Sequence, residues 1–209
     1  MTIPHKPSVL DGYLFPNVEK ILLAARELFF SLGFQSVSQD LLARTAKVSE
    51  AVLAKHFVDL HSVLEAVIER EADRIAAGIN LQPTNKEEFW MGVRQYGYNL
   101  LALLNRPEVL NLDRLMHEEA RHHQRLAELY FKATYERSLH ELSTIIALGQ
   151  SKKFITLIVP AHTLAQWLLC MWESTQVGKA RLGLTQQPFE DPQTWVDDCV
   201  DHLFAQDSW

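Results

Sequence analysis

Apolar side chains recur at steps of three and four residues from Ile21 to Phe204, and no stretch alternates strictly between apolar and polar. The first spacing stacks apolar groups on one face of a helix, whereas a half-buried strand needs the second. Glycine is scarce and proline falls at the edges of the periodic segments, so each segment is free to stay helical. An all-α fold of about nine helices is therefore expected.

A first helix is expected from Asn17 to Leu32, where Ile21, Ala25, Leu28, Phe29 and Leu32 form one stripe and Gly33 supplies the stop. Ser38 and Ser49 have the chemistry of N-caps for two short helices ending at Ala46 and Phe57. Asp59 opens a longer helix carrying Val63, Leu64, Val67, Ile68 and Ile75, and Thr84 with Glu87 has the form of a capping box ahead of the next. Pro107 fits the first turn of a further helix. One or two helices fill residues 107 to 148, another runs from Pro160 to Val177, and the last from Pro192 to Phe204. Residues 178 to 191, with Gly178, Gly183 and Pro188, are expected to be a mobile loop.

Hydrophobic residues make up 47% of the 209-residue chain, which is ample for a packed core. The formal net charge is -6, so any nucleic-acid site must be a local one set against an acidic background. Cys170 and Cys199 are the only cysteines, and both fall in apolar helical patterns, which fits a reducing cytoplasm. The first fifteen residues have no signal-peptide pattern and read as a loose arm. Residues 154 to 172 lack Asp, Glu, Lys and Arg, but Pro160 interrupts them and His162, Thr163 and Gln166 are polar. A buried helix is expected there, not a membrane span.

The first 57 residues carry the layout of a helix-turn-helix: three short helices, the second and third joined by the tight link Ala46-Lys47-Val48-Ser49. A short helix propped by two others can enter a major groove about 12 Å wide, and its N-terminal amides meet phosphates. Ser49 at the N-cap and the small Ala51 beside it permit that approach.

The ordered set Ile21, Ala24, Ala25, Leu28, Phe29, Gly33, Phe34, Ser38, Leu42, Ala43, Ala46, Val48, Ser49, Leu53, His56 and Phe57, followed by Leu64, resembles the TetR family of one-component bacterial regulators. The resemblance implies a helix-turn-helix DNA-binding domain over residues 14–60, with the motif at 38–57, and a helical ligand-binding and dimerisation domain over 61–209. It implies Ser38, Gln39, Lys47, Ser49, Ala51, Lys55 and His56 as DNA contacts, with Lys20 at the start of the first helix. Gln39 and Lys55 also read as an ordinary solvated face, and His56 as a packing partner of Phe57. Three positions depart from the family: Lys47 replaces a turn glycine, Ala54 a tyrosine and Leu60 a lysine. A side chain at Lys47 costs on the order of 1 kcal/mol if the backbone stays left-handed there. Residues 1 to 60 hold six Lys or Arg and six Asp or Glu, so the headpiece lacks a strongly basic footprint.

In the last two helices, Leu164, Leu168 and Met171 form one side and Trp195, Val196, Cys199, Val200 and Leu203 another. The family's four-helix dimer interface implies that these residues meet a second subunit; internal packing is the competing reading. A stripe of Leu126, Leu129, Tyr130 and Ala133 continues at helical spacing into Arg137 and His140, which would then face a ligand pocket walled by Trp90, Tyr96 and Trp167. Solvated side chains for Arg137 and His140, and simple core for the aromatics, compete with it. The segment HEEARHH gathers His117, Glu118, Glu119, His122 and His123, but the histidine spacing does not suit a zinc-protease helix. No phosphate loop or nucleophile elbow is present, so neither an enzyme nor a cofactor is expected.

The resemblance thus implies a homodimeric regulator, a repressor that leaves a palindromic double-stranded DNA operator when a small-molecule effector binds. The alternative is a helical ligand-binding dimer whose headpiece has little specific DNA affinity.

Overall fold

The structure, a computed structural model, describes residues 16–73, 82–120 and 124–205. Every described element is helical: α1 (Pro16–Leu32), a 3-10 turn (Phe34–Ser36), α2 (Gln39–Ala46), α3 (Glu50–His56), α4 (Leu60–Asp73), α5 (Lys86–Leu104), α6 (Pro107–Glu119), α7 (Gln124–Phe131), a π turn (Lys132–Glu136), α8 (Arg137–Ser151), α9 (Ala161–Arg181) and α10 (Pro192–Leu203). Phe131 and Arg137, at the two joints of the π turn, keep right-handed helical angles, so α7, the π turn and α8 form one bulged rod. The all-α expectation holds. Ile75 and the N-terminal arm lie outside the described residues.

Local chemistry explains most helix starts. The Ser38 hydroxyl accepts the Leu41 amide at 3.1 Å, and the Ser49 hydroxyl accepts the Val52 amide at 3.2 Å. Each satisfies one of the amides that a helix start leaves open. Gly33 carries φ 79, a turn that a Cβ would oppose, and it brings Phe34 back under α1. The capping box ahead of α5 sits one residue later than the sequence suggests. Asn85 accepts the Glu88 amide at 2.9 Å, while the Glu88 carboxylate takes the Thr84 amide at 2.8 Å. Asn85 reaches the open amide directly, which leaves Glu87 with no capping role.

Two apolar clusters result. One joins α1, α2, α3 and α4 through Ile21, Phe29, Leu42, Leu53 and Leu64, and takes in Leu112 and Met116 of α6 and Leu126 of α7. The other joins α5, α8, α9 and α10 around Tyr96, Trp172 and Val196. Gly97 makes the second one possible: a Cβ there would lie 2.7 Å from Val196 Cγ1 and 2.8 Å from Trp172 Cζ2. Without a side chain, α5 packs flush against α9 and α10.

α9 outruns its expected end at Val177 and continues to Arg181, so the connection to α10 shortens. Ser174 breaks it internally with φ 44 and ψ -170, and its hydroxyl accepts the Gln176 amide at 3.2 Å to restart the helix. Among the described residues no helix is long and apolar enough to cross a membrane.

Candidate nucleic-acid interface and ligand cavity

Lys47 forms the C-cap of α2 with φ 55 and ψ 43, and its amide donates to Ala43 and Arg44 carbonyls. That left-handed residue turns the chain so that Ser49 starts α3 at once, as a helix-turn-helix requires. Ser38, Gln39, Lys47, Ser49, Ala51 and Lys55 are all exposed, as is Lys20 on α1. His56 is half-buried and engaged in contacts of its own. Arg44 spends its charge on Asp40 at 2.6 Å. Lys20, Lys47 and Lys55 make no ion pair with described residues. Ala54 is exposed on α3, so the missing tyrosine removes a surface contact and leaves the core intact.

A junction of charges ties this headpiece to the helices behind it. Glu71 of α4, almost fully buried, takes Arg26 of α1 at 2.7 Å and Arg106 at the head of α6 at 3.2 Å. Arg106 also holds Glu108 at 3.1 Å. Removing one partner from such a cluster would strand another charge away from water.

One turn further along α6, Val109 and Asp113 reach the wall of a cavity of about 310 Å³. Leu100, Leu103, Leu104, Leu139 and Leu169 supply the rest of its apolar wall. One end is polar and built from three rods. Asp113, buried, accepts the Tyr130 hydroxyl at 2.7 Å and the Arg181 Nε at 2.5 Å. Arg181 in turn donates to the Tyr135 hydroxyl at 2.7 Å. Burial, reinforced by the Asp113 charge, pushes the Tyr130 phenol well above its usual range and that of Tyr135 up to about 12. Glu173 closes this end with Oε2 3.7 Å from Arg181, and burial raises its carboxyl above the normal value despite that cation.

The five residues assigned to a pocket from sequence do not line this cavity. Arg137 is held by Asp73 and by Glu141 at 2.8 Å, and His140 is exposed. Tyr96 is core, its hydroxyl 3.1 Å from Glu141. Trp90 packs on Phe89 and Phe204, and Trp167 stands 48% exposed on α9. The π turn explains why Arg137 and His140 fall away from this wall. It inserts a residue and turns the rod by roughly 100°, so the stripe from Tyr130 continues through Thr134 and Ser138. The interface set also needs correction: Leu164, Leu168, Val196, Cys199 and Val200 are buried inside the subunit by α5 and α8. Met171, Trp195 and Leu203 are only partly covered.

Asp113, Tyr130, Tyr135, Glu173 and Arg181 were not found from sequence, because each alone reads as a solvated or core position. Among the described residues no group of His, Cys, Asp or Glu is arranged to hold a metal; 121–123, which include His122 and His123, lie outside them.

Residues 91–206 match the family pattern of the AefR-like transcriptional repressor, C-terminal domain. The regulator UidR of Escherichia coli is 32% identical over 62 residues, 30% of this chain and 32% of that protein, so the matched stretch spans about a third of the length of this curated relative. The fold is similar to a TetR transcriptional regulator from Agrobacterium tumefaciens, with TM-score 0.77, 19% identity, and coverage of 92% of this chain and 94% of that one. A TetR-family regulator from Mesorhizobium loti gives TM-score 0.69 at 20% identity over 91% of this chain and 96% of its own. The flavonoid-responsive regulator FrrA gives 0.67 at 17% identity over 91% and 96%. With its helix-turn-helix ahead of an AefR-like C-terminal domain, the chain belongs to the TetR family of transcriptional regulators.

Proposed function

We propose that the protein is a homodimeric repressor that binds a palindromic operator through α2 and α3 and is released by a small molecule in the α6–α9 cavity. The observation that carries this reading is the double duty of α6. Its first turn holds Arg106 and Glu108 in the junction with α1 and α4, and its next turns carry Val109 and Asp113 into the cavity wall. A ligand that repositions α6 therefore moves the headpiece with it, and the spacing of two headpieces changes. Half-sites about one helical turn apart do not tolerate such a change. The flavonoid-responsive neighbour supports ligand control as the mode of regulation.

Ser38, Gln39, Lys47, Ser49, Ala51 and Lys55 are proposed as the contact set, with Lys20 on the flanking phosphate. The half-covered side chains of α9 and α10, Met171, Trp195 and Leu203, together with exposed Trp167, are proposed to meet the second subunit. Binding to pooled genomic fragments at low and physiological salt tests the reading. Enrichment of one palindrome is the expected result. Retention that is independent of sequence and vanishes with salt refutes it and favours a ligand-binding dimer with a degenerate headpiece.

A further inference from the structure

The polar end of the cavity is unevenly satisfied. Both oxygens of Asp113 are taken, one by the Tyr130 hydroxyl and the other by Arg181 Nε. Arg181 donates through Nε to Asp113 and through Nη2 to the Tyr135 hydroxyl. Glu173, in contrast, receives no hydrogen bond from any described residue; its nearest partner is Arg181 at 3.7 Å, beyond bonding distance. Its side chain retains 26% exposure and is part of the cavity lining.

Charge gives the same answer. The charged groups lining this end are Asp113, Glu173 and Arg181, two carboxylates against one cation, while His117, outside the lining, stands with Nδ1 3.5 Å from Asp113 Oδ1. Nearby Arg114 keeps its charge but lies outside the lining, donating to the carbonyls of Ala180 and Arg181 and making no ion pair with Glu173. An anionic ligand would set its charge beside Asp113 and Glu173, with only the Arg181 Nη1 group, which no described residue takes, to receive it. A cation meets an open acceptor and displaces nothing.

We infer that the cavity takes an apolar amine, its ammonium donating to Glu173 and its hydrocarbon lying against Leu100, Leu104 and Leu169. This inference deepens the reading of the cavity as the effector site and rests on it. A charge-assisted contact in a largely apolar site exceeds a neutral hydrogen bond, so the carboxylate sets specificity while the leucines supply bulk affinity. The break at Ser174 sets the register of Glu173, ending the first half of α9 directly beyond it.

The test uses the full-length protein without DNA and three probes of equal length, octylamine, octanol and octanoate, with binding read by calorimetry. Octylamine is expected to bind about tenfold or more tighter than octanoate, with octanol between them. Glu173→Gln should lose that advantage for the amine and leave octanol binding unchanged, which also shows that the cavity is intact. Glu173→Asp keeps the charge and should retain a reduced preference for the amine, which keeps the test decisive if the glutamine variant does not fold. Preference for octanoate, an unchanged amine-to-alcohol ratio in Glu173→Gln, or no binding of any probe overturns the inference. Operator release is measured separately; amine binding that leaves a DNA complex intact supports the cavity's specificity and counts only against the repressor reading.

Discussion

Replacing Lys47 with glycine separates the two things this residue does. Its backbone sits at φ 55 and ψ 43, where any side chain bears a steric cost on the order of 1 kcal/mol that glycine escapes. Lys47 is exposed, so the substitution forfeits no packing, and both amide hydrogen bonds of the cap survive because they belong to the backbone. Glycine also loosens the unfolded chain, which offsets part of the gain. A net stabilisation just under about 1 kcal/mol corresponds to a midpoint roughly 2–4 °C higher for a chain of this size. Urea or thermal unfolding reads it directly, with Lys47→Ala as the control that removes the charge but keeps Cβ. Operator affinity should move the other way in both variants, the slope of log affinity against log salt shrinking by about one as a phosphate contact is lost. Equal midpoints for the glycine and alanine variants would refute the account of strain. An unchanged salt slope would refute the phosphate contact.

Lys55→Ala should likewise weaken operator binding and flatten its salt dependence by about one unit without altering the unfolding midpoint, since Lys55 is exposed and touches no anion among the described residues. Gly97→Ala drives a methyl group into Trp172 and Val196 and is expected to cost about 1–3 kcal/mol in a denaturant titration. Tyr98 and Tyr135, both pushed up to about 12 chiefly by burial, hold their protons in the fold after the unfolded chain has released them near pH 10. Their contribution is therefore complete below about pH 10 and is lost as pH climbs towards 12, and Tyr135→Phe should make alkaline unfolding less steep.

The helices were legible because their causes are local. Ser38 and Ser49 each cap an amide three residues further along the chain, and the stripe on α1 needs no knowledge of the rest of the protein. The cavity has no such local cause. Asp113, Tyr130 and Arg181 stand on α6, α7 and α9, and nothing in the spacing of any one helix says that a buried acid on the first will meet an arginine on the third. The π turn then misled the extrapolation from Tyr130 to Arg137 and His140, since a single inserted residue shifts every later side chain around the rod. In the last two helices the periodicity marked faces correctly as apolar, yet it could not say that α5 and α8 already cover Leu164 and Val196. Apolarity identifies a face that must be buried and is silent about what buries it.

The placement of Leu112, Met116 and Leu126 in the same apolar cluster as the headpiece helices bears on how such regulators can be recombined. A graft that joins residues up to the end of α3 to a foreign sensor removes α4 and the α6 and α7 side chains that share its apolar cluster with α1, and should yield an aggregating headpiece whatever the quality of its recognition helix. A graft that carries its own α4, α6 and α7 keeps that cluster but brings along Asp113 and one wall of the cavity. Under the proposed function, new operator specificity and new effector specificity are thus not independently tradable parts, since α6 would answer to both at once.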